Sequence, residues 1–212
     1  MIIKERVNGV LKLLDIHYPM NDKCYLNYEK PYELMIATIL SAQCTDDRVN
    51  LVTIDLFNKY PSLESFAFAD VSEMEKDVKS TGFYRNKAKN IIEASRALLE
   101  EHNSEMPSDI LELTKLAGVG RKTANVIRGN IFQIPSVVVD THVKRISHKI
   151  GFTKNTDPEK IEQDLMKILP KSHWIRYNTQ VIAHGRAICK APTAKCELCF
   201  LTQLCKFYIK AK

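Results

Sequence analysis

Apolar residues recur along most of this chain three and four positions apart, the period of a helix with one buried face. Near the N-terminus Val7, Val10, Leu11 and Leu14 make one such stripe, which predicts an amphipathic helix. Pro31 suits a first helical position and opens PYELMIATILSAQ, a run apolar nearly all round and so expected to be central. Thr45 is placed to cap the next helix, with Asp46 and Asp47 in its first turn and Leu51, Ile54 and Phe57 following. Asp70 and Glu73 have capping-box spacing, and Gly82 is expected to stop the helix they begin. Ala88, Ile91, Ile92, Ser95, Leu98 and Leu99 form another stripe, and Ser108 is expected to cap a short helix ending near Leu116. Asp157 and Pro158 start one with Ile161, Leu165 and Ile168 inward that ends at Pro170; residues 173–187 make the last long helix. The one strand-like run, SVVVD at 136–140, is too short and isolated to build a sheet. The expected fold class is all-α. Periodicity alone does not divide it into domains.

Composition agrees with a globular chain: 212 residues, 45% hydrophobic and 26% charged. No apolar run approaches the ~20 residues of a membrane helix, which argues against a membrane partner. The N-terminus lacks the apolar core of a secretory signal and carries Glu5 and Asp15, unlike an acid-poor transit peptide. A cytoplasmic, prokaryotic setting is expected. The formal charge of +6 is uneven, because residues 186–212 hold six basic side chains against one acid, Glu197. Such a tail is either merely solvated or one edge of a polyanion-binding surface.

Cysteine placement favours the second reading. Cys24 and Cys44 stand alone and read as buried residues, while Cys189, Cys196, Cys199 and Cys205 follow one another as C-x6-C-x2-C-x5-C. Thiolates so close repel or oxidise unless a metal takes them up. Zinc sites usually pair two short C-x2-4-C units, and only Cys196 and Cys199 form one here; the spread also suits an iron–sulfur cubane.

The stretch LAGVGRKTANVIRGNIFQIPSVVVD, from Leu116 to Asp140, carries the candidate chemistry. Gly118, Val119 and Gly120 would join two helices with almost no loop, and the next helix would start at about Arg121 with its free N–H groups toward the turn. That geometry suits a phosphate oxygen held without reading any base; a plain helix–helix turn is the alternative. Lys122 falls in the first turn of the same helix, where the dipole disfavours a cation. The field, with Arg121 adjacent, should favour a neutral amine, which is a nucleophile able to form a Schiff base. Asp140 reads as an N-cap. A capped carboxylate stays ionised and fixed, which also suits stabilisation of a sugar cation or proton shuttling.

LAGVGRKTA resembles the helix-hairpin-helix motif of DNA glycosylases, and VVVDTHVKR resembles the same proteins' aspartate segment. LSAQCTDDRVN, TGFYRNKAKNI and the cysteine tail extend the similarity over nearly the whole chain, to the endonuclease III family of base-excision-repair glycosylases with lyase activity. The resemblance implies two helical lobes: residues 23–135 with six helices and the hairpin, and residues 1–22 plus 136–212 around a [4Fe–4S] cluster held by Cys189, Cys196, Cys199 and Cys205. Lys122 and Asp140 would face each other across the cleft between them. Lys122 would attack the deoxyribose C1′ of a damaged nucleotide, and β-elimination would then cut the strand on the 3′ side. The implied substrates are oxidised pyrimidines and abasic sites in double-stranded DNA, met by a monomer at the nucleoid.

Gln43 and Phe83 would fill the gap left by the extruded base. Phe83 stands where the family commonly has an aliphatic residue, and its alternative is burial in the core. Gly118, Val119, Gly120 and Arg121 would grip the DNA backbone, with Lys190 and Lys195 reaching phosphates from the cluster loop. Asp46 is read as support for its helix and His142 as structural. Thr38 occupies the position of a glutamate found in the adenine-mismatch branch, and Lys122 that of a tyrosine in the thymine-mismatch branch, so both differences favour the bifunctional branch. The rivals are a DNA-binding module without catalysis and a monofunctional glycosylase. With seven residues beyond Cys205, no further recognition domain is expected.

Overall fold

A computed structural model describes residues 2–19 and 24–211. The described residues form twelve α-helices and no strand. In order they are α1 (Ile3–His17), α2 (Pro31–Leu40), α3 (Asp46–Lys59), α4 (Leu63–Ala67), α5 (Val71–Asp77), α6 (Tyr84–Glu101), α7 (Ile110–Lys115), α8 (Arg121–Phe132), α9 (Thr141–Ile150), α10 (Pro158–Ile168), α11 (Trp174–Ala187) and α12 (Lys206–Ala211). The chain divides into two compact units, Cys24–Ile134 and Met1–Lys23 with Pro135–Lys212. The boundary expected between residues 22 and 23 lies outside the described residues.

The unit Cys24–Ile134 is built around α2. Every residue from Glu33 to Leu40 is buried, as a helix apolar on all sides requires. Glu33 belongs there because its carboxylate accepts from the N–H groups of Glu29 (2.7 Å) and Lys30 (3.0 Å) at the helix mouth. Leu34, Leu40, Phe66, Ile91, Leu98 and Ile127 are among the side chains of this core. The resemblance implies six helices here; seven are described, and α4, α5 and α7 have no more than seven residues each.

Four local expectations are corrected in this unit. Helix α2 ends at Leu40, short of Gln43, because Ser41–Gln43 turn and Gln43 adopts a left-handed backbone (φ 53°). Thr45 does cap α3, accepting from Arg48 N–H at 3.3 Å, but the buried face is Val49, Thr53 and Leu56. Leu51 and Ile54 are exposed. Asp70 accepts from Glu73 N–H at 3.0 Å without the reciprocal half of a capping box, since the Glu73 carboxylate binds Lys76 and Lys59 instead. Helix α5 accordingly ends at Asp77, and a 3-10 turn (Lys79–Thr81) precedes Gly82. Asp109, not Ser108, caps α7, its carboxylate accepting from Leu111 and Glu112 N–H; an anion gains more at a helix N-terminus than a hydroxyl does.

In the other unit, Val7, Val10, Leu11 and Leu14 of α1 are buried with Val137, Val143, Ile146, Ile161, Leu165 and Tyr177. Asp15 Oδ1 accepts from Gln180 at 2.8 Å, while its Oδ2 lies 3.2 Å from His173 Nε2, which links α1 to the start and middle of α11. The SVVVD run forms neither helix nor strand; Val137 and Val138 are buried, and Val138 O accepts from Asn178 at 3.2 Å.

Candidate active site

The hairpin is built from its glycines outward. Gly118 has φ +74°, and a Cβ there would stand 2.9 Å from the Asn90 side chain on α6, so both its torsion and its neighbour require glycine. Val119 is turned inward, 3% exposed, and its N–H donates to Leu116 O at 3.0 Å. Its side chain therefore anchors the turn in the core and cannot touch a ligand, which narrows the role expected of it at the DNA surface. Gly120 is the N-cap of α8 with an ordinary φ of −85°, and a Cβ there would meet nothing within 4 Å. It supplies no side chain to close the helix mouth. Arg121 and Lys122 follow as the first two helical residues, both exposed.

Cys24 is half-buried against the core of this unit. Burial pushes its thiol up, and the Asp46 carboxylate and the Lys122 ammonium act on it with opposite signs. Asp46 opens α3 in its first turn, as read from the sequence. Thr38 donates to Leu34 O at 2.7 Å within its own helix, so its hydroxyl is already engaged.

Gln43 and Phe83 are both exposed, both in left-handed backbone (φ 53° and 48°). Phe83 is 64% exposed, which removes the core alternative. The sequence reading missed a residue beneath them. Lys87 is 3% exposed, and its ammonium donates to Leu40 O (2.8 Å) and Thr81 O (2.7 Å). The signal was available, since Lys87 sits at helical spacing from Ile91, Ala94 and Leu98.

In the second unit Asp140 caps α9, accepting from Val143 N–H at 2.7 Å, and its side chain is half-buried. His142 lies under α11, where a Cβ on Gly185 would meet its ring at 2.2 Å, consistent with a structural histidine. The four tail cysteines line one small cavity whose walls include Ile146, Ile150, Leu201 and Phe207. Among the described residues no group of three His, Cys, Asp or Glu side chains is arranged to hold a metal ion. Leu201 N–H lies 3.4 Å from Cys199 Sγ, the type of donor that supports a bound thiolate. Burial pushes the Cys199 thiol up to about 11, and the Cys189 thiol also upward. Arg145, also passed over in the sequence, holds the loop by donating to Cys189 O at 2.8 Å. Lys190 and Lys195 are exposed on that loop.

Residues 36–171 match the HhH-GPD superfamily of base excision DNA repair proteins. The chain belongs to this superfamily, and within it to the endonuclease III family. It is 49% identical to the endonuclease III of Synechocystis sp., over 95% of this chain and 92% of that protein. Against the Bacillus subtilis endonuclease III it is 44% identical, over 87% and 84% of the two chains. Among solved structures, a non-covalent endonuclease III–DNA complex matches with a TM-score of 0.93 and 41% identity, covering 100% of this chain and 99% of that one. A trapped endonuclease III–DNA covalent intermediate matches equally well, with a TM-score of 0.93. A thermostable thymine-DNA glycosylase, 23% identical, shares the HhH-GPD fold with a TM-score of 0.85. Residues 188–205, which carry the four cysteines, lie beyond the superfamily match and within the chain covered by the endonuclease III structures.

Proposed function

We propose that this endonuclease III family member is a bifunctional DNA N-glycosylase and abasic-site lyase acting on oxidised pyrimidines in double-stranded DNA. The observation that carries the reading is a lysine in the open first turn of α8, in a chain that aligns end to end with a relative trapped covalently on DNA. The target nucleotide must leave the base stack before its sugar can be attacked. Lys122 Nζ then bonds to C1′ as the C1′–N glycosidic bond breaks and the base departs with a proton. Ring opening leaves a protonated Schiff base, whose electron-withdrawing carbon acidifies C2′. Loss of a C2′ proton expels the 3′ phosphate oxygen and cuts the strand; water then releases the lysine. Asp140, fixed by Val143 N–H, would offset the positive charge that grows on the sugar and relay the amine's proton.

The hairpin would hold a phosphate through the N–H groups at the mouth of α8, with Arg121 alongside, and Gln43 and Phe83 would occupy the gap left by the extruded base. Cys189, Cys196, Cys199 and Cys205 would carry a [4Fe–4S] cluster. The fit rests on four sulfurs around one apolar-walled cavity. Bound there, the cluster would brace the loop that presents Lys190 and Lys195 to phosphates and take no part in bond making. The relatives are bacterial, and we place this protein in a bacterial cytoplasm, working as a monomer on the nucleoid.

Borohydride trapping on duplex DNA with one abasic site tests the reading. A covalent adduct formed by the wild type and lost in Lys122→Gln is expected. Tight binding without any adduct would instead indicate a non-catalytic module. Base release without strand cleavage would indicate a monofunctional glycosylase.

A further inference from the structure

Lys87 is an expensive residue to bury. An ammonium group taken out of water is strongly disfavoured unless hydrogen bonds replace its hydration. Here no carboxylate pairs with it among the described residues, and burial pulls its pKa down. Its two bonds go to main-chain carbonyls, Leu40 O and Thr81 O. Leu40 is the last residue of α2 and Thr81 the last of the 3-10 turn before Gly82. Both carbonyls are helix-end acceptors left without an intrahelical partner, at the end of the dipole that favours a cation. A methionine of similar volume would fill the same core space without the desolvation cost. What the ammonium adds is a hydrogen-bonded link between two backbone segments far apart in sequence.

Those two segments lead directly into Gln43 and Phe83. Each of these residues has positive φ, a conformation that non-glycine residues rarely adopt and that persists only where the surroundings impose it. Lys87 meets the second turn twice, since its own N–H also donates to Phe83 O at 3.1 Å. We propose that Lys87 is a positioning residue: by tying the ends of α2 and of the 3-10 turn to one ammonium, it holds the Gln43 and Phe83 turns in register so that both side chains enter a duplex as one unit. This role rests on the glycosylase reading.

The test compares two substrates. Extrusion from a duplex needs the plug, whereas attack on an abasic site in single-stranded DNA does not. Lys87→Met should lower excision of an oxidised pyrimidine from duplex DNA by about ten- to a hundredfold, the order expected when reacting groups are misplaced by an ångström. Borohydride trapping on single-stranded abasic DNA should stay within about twofold of wild type. In a Gln43→Ala/Phe83→Ala background, adding Lys87→Met should change duplex excision by no more than about twofold, because the residues it positions are gone. Equal losses on both substrates, or a full additional loss in that background, would overturn the inference. Should Lys87→Met fail to fold, Lys87→Gln, which keeps a neutral donor, is read by the same two criteria. A wild-type protein that neither excises nor traps would bring down the glycosylase reading and this inference together, whereas an unexpected pattern among the variants strikes the inference alone.

Discussion

The mouths of α8 and α9 are opposites. Helix α8 begins at a glycine with no capping side chain and places Arg121 and Lys122 in its first turn, against the sign that the dipole favours. Helix α9 begins at Asp140, whose carboxylate closes the mouth with a 2.7 Å bond to Val143 N–H. The first arrangement leaves donors and cations directed outward, fit for an anion from elsewhere. The second satisfies itself, and in doing so fixes a negative charge in one orientation. By ordinary helix design α9 is well made and α8 is poorly made. A poorly made terminus in a well-packed chain marks where local stability yields to another requirement.

The sharpest way to break this contrast is to remove the amine. Lys122→Gln relieves the electrostatic conflict at α8, so it should melt no lower than wild type, while trapping vanishes and excision falls at least about a thousandfold. Thermal unfolding and single-turnover kinetics on the same preparation check both halves. At α9 the cap and the charge separate. Asp140→Asn keeps a good capping group and should leave stability nearly unchanged while slowing base release about a hundredfold. Asp140→Ala should lose the activity and also about 1 kcal/mol of stability. If Asn and Ala proved equally destabilising, the capping argument would be wrong.

The two hairpin glycines come next. Gly118→Ala forces a side chain onto φ +74° and toward Asn90, at a cost of about 1–2 kcal/mol and a melting point about 3–6 °C lower. Gly120→Ala meets open space at an ordinary φ, so stability should hold or rise slightly. Affinity for DNA should nonetheless fall, because the added methyl stands where a phosphate must approach. Calorimetry with a DNA-binding titration at fixed salt distinguishes the two glycines.

The smallest effect concerns a carboxylate with a structural task alone, in the same unit as Asp140. Burial works against the charge on Asp15, but the hydrogen bonds from Gln180 and His173, with the positive fields of His173 and Arg176, outweigh it and hold its pKa below the usual value of 3.8. A depressed carboxyl stabilises the fold above its unfolded pKa and loses that contribution as pH falls through its folded value. The melting-point gap between wild type and Asp15→Asn should therefore stay level from pH 7 to 5 and close below about pH 4. The side chain is more than a third exposed, so the gap should be modest.

What the sequence disclosed follows the same division. Helices such as α1 and α10 were legible because burial repeats with the helical period, and α8 because Gly118 and Gly120 leave a visible gap in an apolar pattern. Leu51 and Ile54 misled because two faces of α3 carry apolar residues, and packing against the core chose Val49, Thr53 and Leu56. Ser108 and Asp109 are adjacent good caps, and the carboxylate, the better partner for a helix N-terminus, takes the place. Lys87 lies at helical spacing on the buried stripe of α6, but a reading that scores lysine as surface passes over it, and its partner carbonyls come from distant segments. Neither period nor spacing could pair Lys122 with Asp140; that came from family resemblance alone.

Phe83 has one more implication. Its ring is presented to solvent by a backbone that was arranged when the chain folded, not when DNA arrived. A probe set in advance spends no entropy at each base pair it inspects. On the role proposed for Phe83, scanning of long undamaged tracts would be limited by how readily each pair yields, and the protein would bring the same preset question to every one.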